Sequence, residues 1–190
     1  MRILDIQKET DFNHVNLFSV HYQDKAGNKR SWVYASRRDT PTAPETERLP
    51  DAVVIVPFHV QEKKLVMIRE FRVPLGQVQY GFPAGLIDAQ ETIAGAAARE
   101  LYEETGLNLL DIHRQSPVVY SSSGLTDESL SLVFVNCAGR PSSKHSSDSE
   151  EIETILLSQN EAKHLQEQPD FCFDVKSWLV LSAFAASGSI

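Results

Sequence analysis

The sequence predicts an α/β layered domain with a mixed sheet, preceded by a small antiparallel β unit. Three observations carry this expectation. Short runs rich in β-branched and aromatic residues, such as AVVIVPF at 52–58 and KLVMIREF at 64–71, are separated by turn chemistry. Helical patterns fall between some strands and after others, which argues for a layered domain without strict βαβ alternation. The chain has 190 residues, 42% hydrophobic and 23% charged, enough for one buried core with an appendage.

In order along the chain, residues 15–22 and 31–35 read as strands. Asp24-Lys25-Ala26-Gly27-Asn28 between them is turn chemistry, so the pair is a hairpin. Residues 37–50, interrupted by Pro41, Pro44 and Pro50, read as a linker. It separates an N-terminal β unit, 1–50, from a main domain, 51–190. The small unit has too few apolar residues to fold comfortably alone, so it should pack on the main domain or on a second subunit. Strands follow at 52–58 and 64–71, and a short one at 77–82 leads into Pro83-Ala84-Gly85. Residues 91–105 form a helix, with Asp88 as N-cap, Glu91 completing a capping box and Gly106 as the stop. Strands are expected at 109–120 and 130–137, joined by a polar loop at 121–128. A Ser-rich stretch at 139–150 precedes a last strand at 152–157 and helices at 159–167 and 174–186.

The formal net charge of −8 argues against a nucleic-acid binder, which needs a basic footprint. It leaves room for an anionic small molecule, because a bound divalent ion reverses the local sign. The N-terminus MRILDIQKETDF carries charges where a signal peptide needs an apolar core. The apolar run 178–186 is too short to span a bilayer. Cys137 and Cys172 stand far apart, giving neither a disulfide framework nor a zinc site and suiting a reducing compartment. The expectation is a soluble cytoplasmic protein with no nucleic-acid or membrane partner.

The stretch GLIDAQETIAGAAARELYEETGL, 85–107, is what ordinary helix building does not require. At about 100° per residue, Glu103 and Glu104 fall within about 60° of Glu100, so the three carboxylates share one side. Ala94, Ala97, Ala98 and Leu101 form an adjacent stripe expected to face the sheet, while Ile93 and Ala96 share the glutamate side. Like charges at this spacing repel by about a few tenths of a kcal/mol, which points to a cation that relieves them. Mg²⁺ takes carboxylate oxygens and commonly completes its shell with phosphate and water. The plain alternative is a solvated acidic face.

The spacing of the entire stretch favours the metal. Gly85, Glu91, Arg99-Glu100-Leu101, Glu103-Glu104 and Gly106-Leu107 resemble the Nudix box at its fixed positions. The resemblance implies a Nudix-type α/β/α sandwich and Mg²⁺ or Mn²⁺ held by Glu100, Glu103, Glu104 and the carbonyl of Ala84. It implies water attack on the pyrophosphate of a nucleoside diphosphate derivative, with Glu103 also at the chemistry. Glu91, Arg99 and Gly106 match the box in structural roles. Gly85 supplies, at the substrate, a backbone shape that a Cβ would obstruct.

The flanks resemble the ADP-ribose and ADP-sugar pyrophosphatase branch. In IREFRVPLGQVQYGFPAGLID, Arg72 stands at that branch's substrate-binding arginine. In SSSGLTDES, Glu128 matches a glutamate acting as general base or further metal ligand, with Asp127 its neighbour. The branch commonly has a proline before the loop glycine where this chain has Ser123 before Gly124. Its members use an N-terminal β unit to build a homodimer and shape the adenine site. Trp32 is the aromatic candidate for that contact, the alternative being a buried hairpin tryptophan. Competing functions are another Nudix substrate, such as a nucleotide sugar, dinucleotide or coenzyme A derivative, and a non-catalytic ligand sensor on the same fold.

Overall fold

The computed structural model describes residues 1–39, 49–142 and 151–190. Pro41 and Pro44 of the expected linker, and most of the Ser-rich stretch, lie outside the described residues. In chain order the strands and helices begin β1 (Arg2–Lys8), β2 (Asn16–Gln23), β3 (Lys29–Ser36), β4 (Ala52–His59), β5 (Lys64–Arg72), β6 (Gln77–Gly81) and β7 (Ala84–Leu86). They continue with α1 (Ile93–Thr105), β8 (Asn108–Gln115), β9 (Val119–Tyr120), β10 (Ser129–Ala138), β11 (Ile152–Leu157), α2 (Gln159–Glu167) and α3 (Val175–Ser187). The backbone gathers into two compact units, Met1–Asp51 with Val118–Leu130, and Ala52–Pro117 with Ser131–Ile190.

The first unit is built on an antiparallel sheet in the order β1-β2-β3. Its β2–β3 turn is closed by Asp24, whose Oδ1 accepts the backbone N–H groups of Ala26 and Asn28, each at 2.9 Å. Phe18 is fully buried beside Tyr34, with ring centroids 5.8 Å apart. β1 is an element the sequence did not announce. RILDIQK mixes charge with apolar residues, and almost every position stays exposed, so the strand exists through its pairing with β2. In the same unit β9 pairs with Ser129 and Leu130 at the start of β10, enclosing the loop 121–128.

The second unit carries a sheet in the order β11-β5-β4-β10-β8, with β6 beside β5 and β7 beside β4. β5 runs antiparallel to β4, β6 and β11, and β8 antiparallel to β10. β4 and β10 run parallel, since Asp51 N donates to Ser129 O at one end and Val60 N to Cys137 O at the other. The sheet is mixed, as expected. Strand alternation places Val53 and Ile55 of β4 in the core with Ala96, Ala97 and Leu101 of α1. Phe58, on the other face of β4, meets Phe184 of α3 at 6.3 Å. Helices therefore cover both faces, which makes this unit an α/β/α sandwich. Each fully buried Val, Leu or Ile side chain here contributes about 1.5–3 kcal/mol.

Most strand and helix expectations match within a residue or two; the run expected at 109–120 does not stay whole. It stops at Gln115 and resumes as β9, because Pro117 offers no N–H to a ladder. Among the described residues, no helix is long and apolar enough to cross a membrane.

Candidate active site

Gly85 sits in β7, whose register against β4 pairs Val53 with Gly85 and Val54 with Ala84. The chain then turns through Asp88–Glu91 into α1. Thr92, and not Asp88, is the N-cap of this helix: its hydroxyl accepts the N–H of Gly95 at 3.0 Å. Glu91 keeps only part of the anticipated capping box, its Oε2 accepting the backbone N–H of Asp88 at 3.1 Å. Gly106 closes the helix at φ 71°, donating its N–H to Tyr102 O at 2.8 Å.

The buried arc of α1 consists of Ala96, Ala97, Leu101, Glu104 and Thr105, whereas Ala94 and Ala98 are exposed. The face packed on the sheet is rotated toward the glutamates relative to the alanine stripe the sequence suggested. Glu104 is thereby carried into the unit, with 8% of its surface exposed. Glu100 is mostly covered and Glu103 half exposed.

Arg99 answers much of the carboxylate crowding from within the chain. Its Nη1 donates to Glu100 Oε1 at 2.7 Å and to Glu103 Oε2 at 3.3 Å. Its Nε and Nη2 grip Glu91 at 3.0 and 2.8 Å, and Nη2 also reaches Leu86 O at 3.0 Å. The planar fork suits such multiple donation better than an ammonium would. Arg99, then the Asp88 N–H, holds the Glu91 carboxyl below the usual range, and Glu91 in turn raises Arg99. One guanidinium is thus shared among three carboxylates.

The donor set suits a hard divalent cation, being all oxygen and anionic. Gly85 also leaves a cradle, since a Cβ there would fall inside the Glu100 carboxylate. Among the described residues, however, no three of His, Cys, Asp and Glu gather into a preformed cage. The fit is one of chemistry and charge, without a closed arrangement.

The remaining candidates stand apart from this cluster in sequence. Arg72 ends β5, pairs with Gln77 across β6, and is held by Glu70 at 2.8 Å. Trp32 and Glu128 belong to the first unit. Trp32 is 54% exposed, which excludes the buried reading, and its indole N–H donates to Gly124 O at 3.1 Å. It lines, with Tyr34, Tyr120, Ser123, Thr126 and Asp127, a hollow of about 270 Å³. Glu128 is held by Arg37 at 3.0 Å and by Ser121 at 3.2 Å. Sequence reading passed over Arg37 and Arg38 as linker residues. Their signal was two adjacent guanidinium groups at a strand end.

With this geometry in view, comparison with known proteins is decisive for family. A family model described as NUDIX domain matches residues 48–175. The chain belongs to the Nudix family. It is 32% identical to the ADP-ribose pyrophosphatase of Saccharomyces cerevisiae over 68% of this chain and 55% of that protein. It is likewise 32% identical to the ADP-sugar pyrophosphatase of Mus musculus over 74% of this chain and 65% of that protein. The chain thus spans less than two thirds of the length of these Nudix relatives. A crystal structure of an ADP compounds hydrolase superposes with a TM-score of 0.74 at 23% identity, covering 99% of this chain and 96% of that one. That likeness is one of fold.

Proposed function

We propose that the chain is a metal-dependent Nudix pyrophosphohydrolase that cleaves ADP-ribose or an ADP-sugar to AMP and a sugar phosphate. The observation that carries this reading is on the box helix, where Gly85 leaves room for the Glu100 carboxylate, Arg99 joins Glu100 to Glu103, and Glu104 is carried inward. The relatives named ADP-ribose and ADP-sugar pyrophosphatases support the substrate class.

Glu100, Glu103 and Glu104, with the Ala84 carbonyl, would hold Mg²⁺ or Mn²⁺. When bound, such an ion neutralises pyrophosphate charge and acidifies a water. The chain's own residues supply the rest. Glu128 accepts a proton from the attacking water, with Glu103 as the second carboxylate at the chemistry. Arg72 pairs with phosphate or ribose oxygens through its guanidinium. Trp32 offers its exposed face to the adenine, and Gly85 lets the backbone approach the substrate. Arg99 and Glu91 fix the carboxylates, and Gly106 ends the helix. The water oxygen joins one phosphorus while the bridging oxygen leaves with the other, so the atoms balance as one water consumed.

The N-terminal sheet supports a homodimer, since Leu17 and Val33 lie on one of its faces and are 44% and 53% exposed. Cys137 and Cys172 are both free thiols, which suits a cytoplasmic setting. The test is AMP release from ADP-ribose with Mg²⁺. Turnover should collapse in Glu104→Gln, which keeps the size of the side chain. Equal turnover in EDTA overturns the metal reading, and coenzyme A cleaved as well as ADP-sugars by kcat/KM overturns the substrate class.

A further inference from the structure

We propose that the end of β3, Ser36-Arg37-Arg38, is a clamp that aims Glu128, with Arg37 as its positioning residue. The inference rests on the reading of Glu128 as general base. Three successive residues, Asp127, Glu128 and Ser129, are each held by a separate contact within the first unit. Asp127 accepts the Ser36 hydroxyl at 3.1 Å and faces the Arg38 guanidinium at 3.7 Å. Glu128 accepts Arg37 Nε on one oxygen and the Ser121 hydroxyl on the other. Ser129 donates both its backbone N–H, at 2.9 Å, and its hydroxyl, at 2.7 Å, to Asp51, which also receives Arg38 at 3.5 Å.

The backbone completes the clamp. Ala35 N donates to Leu125 O at 2.8 Å, and Ala35 bridges Thr126 in parallel register. A carboxylate has about four lone-pair sites, so two donors fix its plane and leave acceptor capacity for a water. The Arg37 and Glu128 side chains are 47% and 30% exposed. A pair this open to solvent adds little to stability. Its consequence is direction: a base on a loop works only when its oxygens stand within hydrogen-bond reach of the proton they take. The polar loop thus depends for its geometry on residues some ninety positions earlier in the chain.

The experiment compares Arg37→Ala, Arg37→Lys and both changes in a Glu128→Gln background, assayed on ADP-ribose with Mg²⁺. Arg37→Ala should lower kcat on the order of tenfold with KM within about twofold, and Arg37→Lys should restore part of it. In Glu128→Gln, Arg37→Ala should cost nothing further, since the group it aims is gone. Amide exchange across residues 121–128 should quicken in Arg37→Ala with the melting temperature unchanged. A raised KM that persists in Glu128→Gln would mean Arg37 contacts substrate directly, and overturns the clamp. Full activity of Glu128→Gln removes the base reading instead. The clamp is then judged by exchange alone: faster exchange in Arg37→Ala upholds it, and unchanged exchange sinks it. Should Arg37→Ala fail to fold, Ser121→Ala gives the same readouts from the other carboxylate oxygen.

Discussion

At the scale of single residues, Gly85 is the place where a missing side chain sets the position of a carboxylate. A Cβ there would collide with the Glu100 carboxylate, which is the far end of a flexible side chain. Gly85→Ala should therefore cost little stability, because Glu100 can swing aside. The same swing removes a carboxylate from the box cluster, and a misplacement of about 1 Å can cost on the order of 10²-fold in rate. Measured together, kcat should fall strongly while the melting temperature barely moves; a variant with full activity would show that the position of Glu100 is unimportant. Gly85 and the glutamates were legible in the sequence through their spacing. The spread of Arg99 over Glu91, Glu100, Glu103 and Leu86 was not, because a motif gives identities and leaves side-chain direction unspecified. Carboxylate repulsion alone was thus an incomplete argument for a cation, since part of it is answered by a neighbouring guanidinium.

At the scale of elements, α1 was predicted to within two residues at its start, and the two-residue difference decides which side chain caps it. Thr92 has an extended backbone at φ −91° and ψ 158°, and its hydroxyl meets the N–H of Gly95. Asp88 lies one turn further out, its N–H engaged by Glu91. Sequence reading placed the cap at Asp88, and the backbone path out of β7 moves that role four positions on, to Thr92. Thr92→Ala should destabilise the protein by about 1 kcal/mol, the usual cost of losing an N-cap. Asp88→Ala should stay within about 0.5 kcal/mol, as for a substitution away from such features. Urea titrations of the two variants decide the matter, and the reverse order would restore Asp88 as the cap. The rotation of the buried arc has the same origin. A stripe of alanines is weakly hydrophobic, so larger Leu101 and the approach of Ala96 to the sheet set the angle, and Glu104 follows them inward.

At the scale of the whole molecule, the mixed sheet was legible because strands and helices each carry their own periodicity, whereas helices on both of its faces were expected only from the resemblance of the box. The grouping of Val118–Leu130 with the N-terminal residues was not legible, since it depends on contacts such as Trp32 with Gly124, 92 positions apart. Periodicity within a window cannot report a pairing that distant. The same first unit poses the question of assembly. In the β2–β3 register, Leu17 lies opposite Ala35 and Val33 opposite Ser19, so the exposed Leu17 and Val33 share one face of the three-stranded sheet. The same face carries Ser19 and Gln7, so Leu17 and Val33 are two exposed apolar side chains on a mixed surface, and a second copy covering them would remove them from water. Sedimentation at micromolar concentration should show a dimer of 21.2 kDa chains. Leu17→Asp and Val33→Asp place a charge on the covered face and should shift the protein to monomers while leaving its circular dichroism unchanged. A parent protein that sediments only as monomer at that concentration removes the homodimer, and with it any role for a partner's sheet in the adenine contact proposed for Trp32.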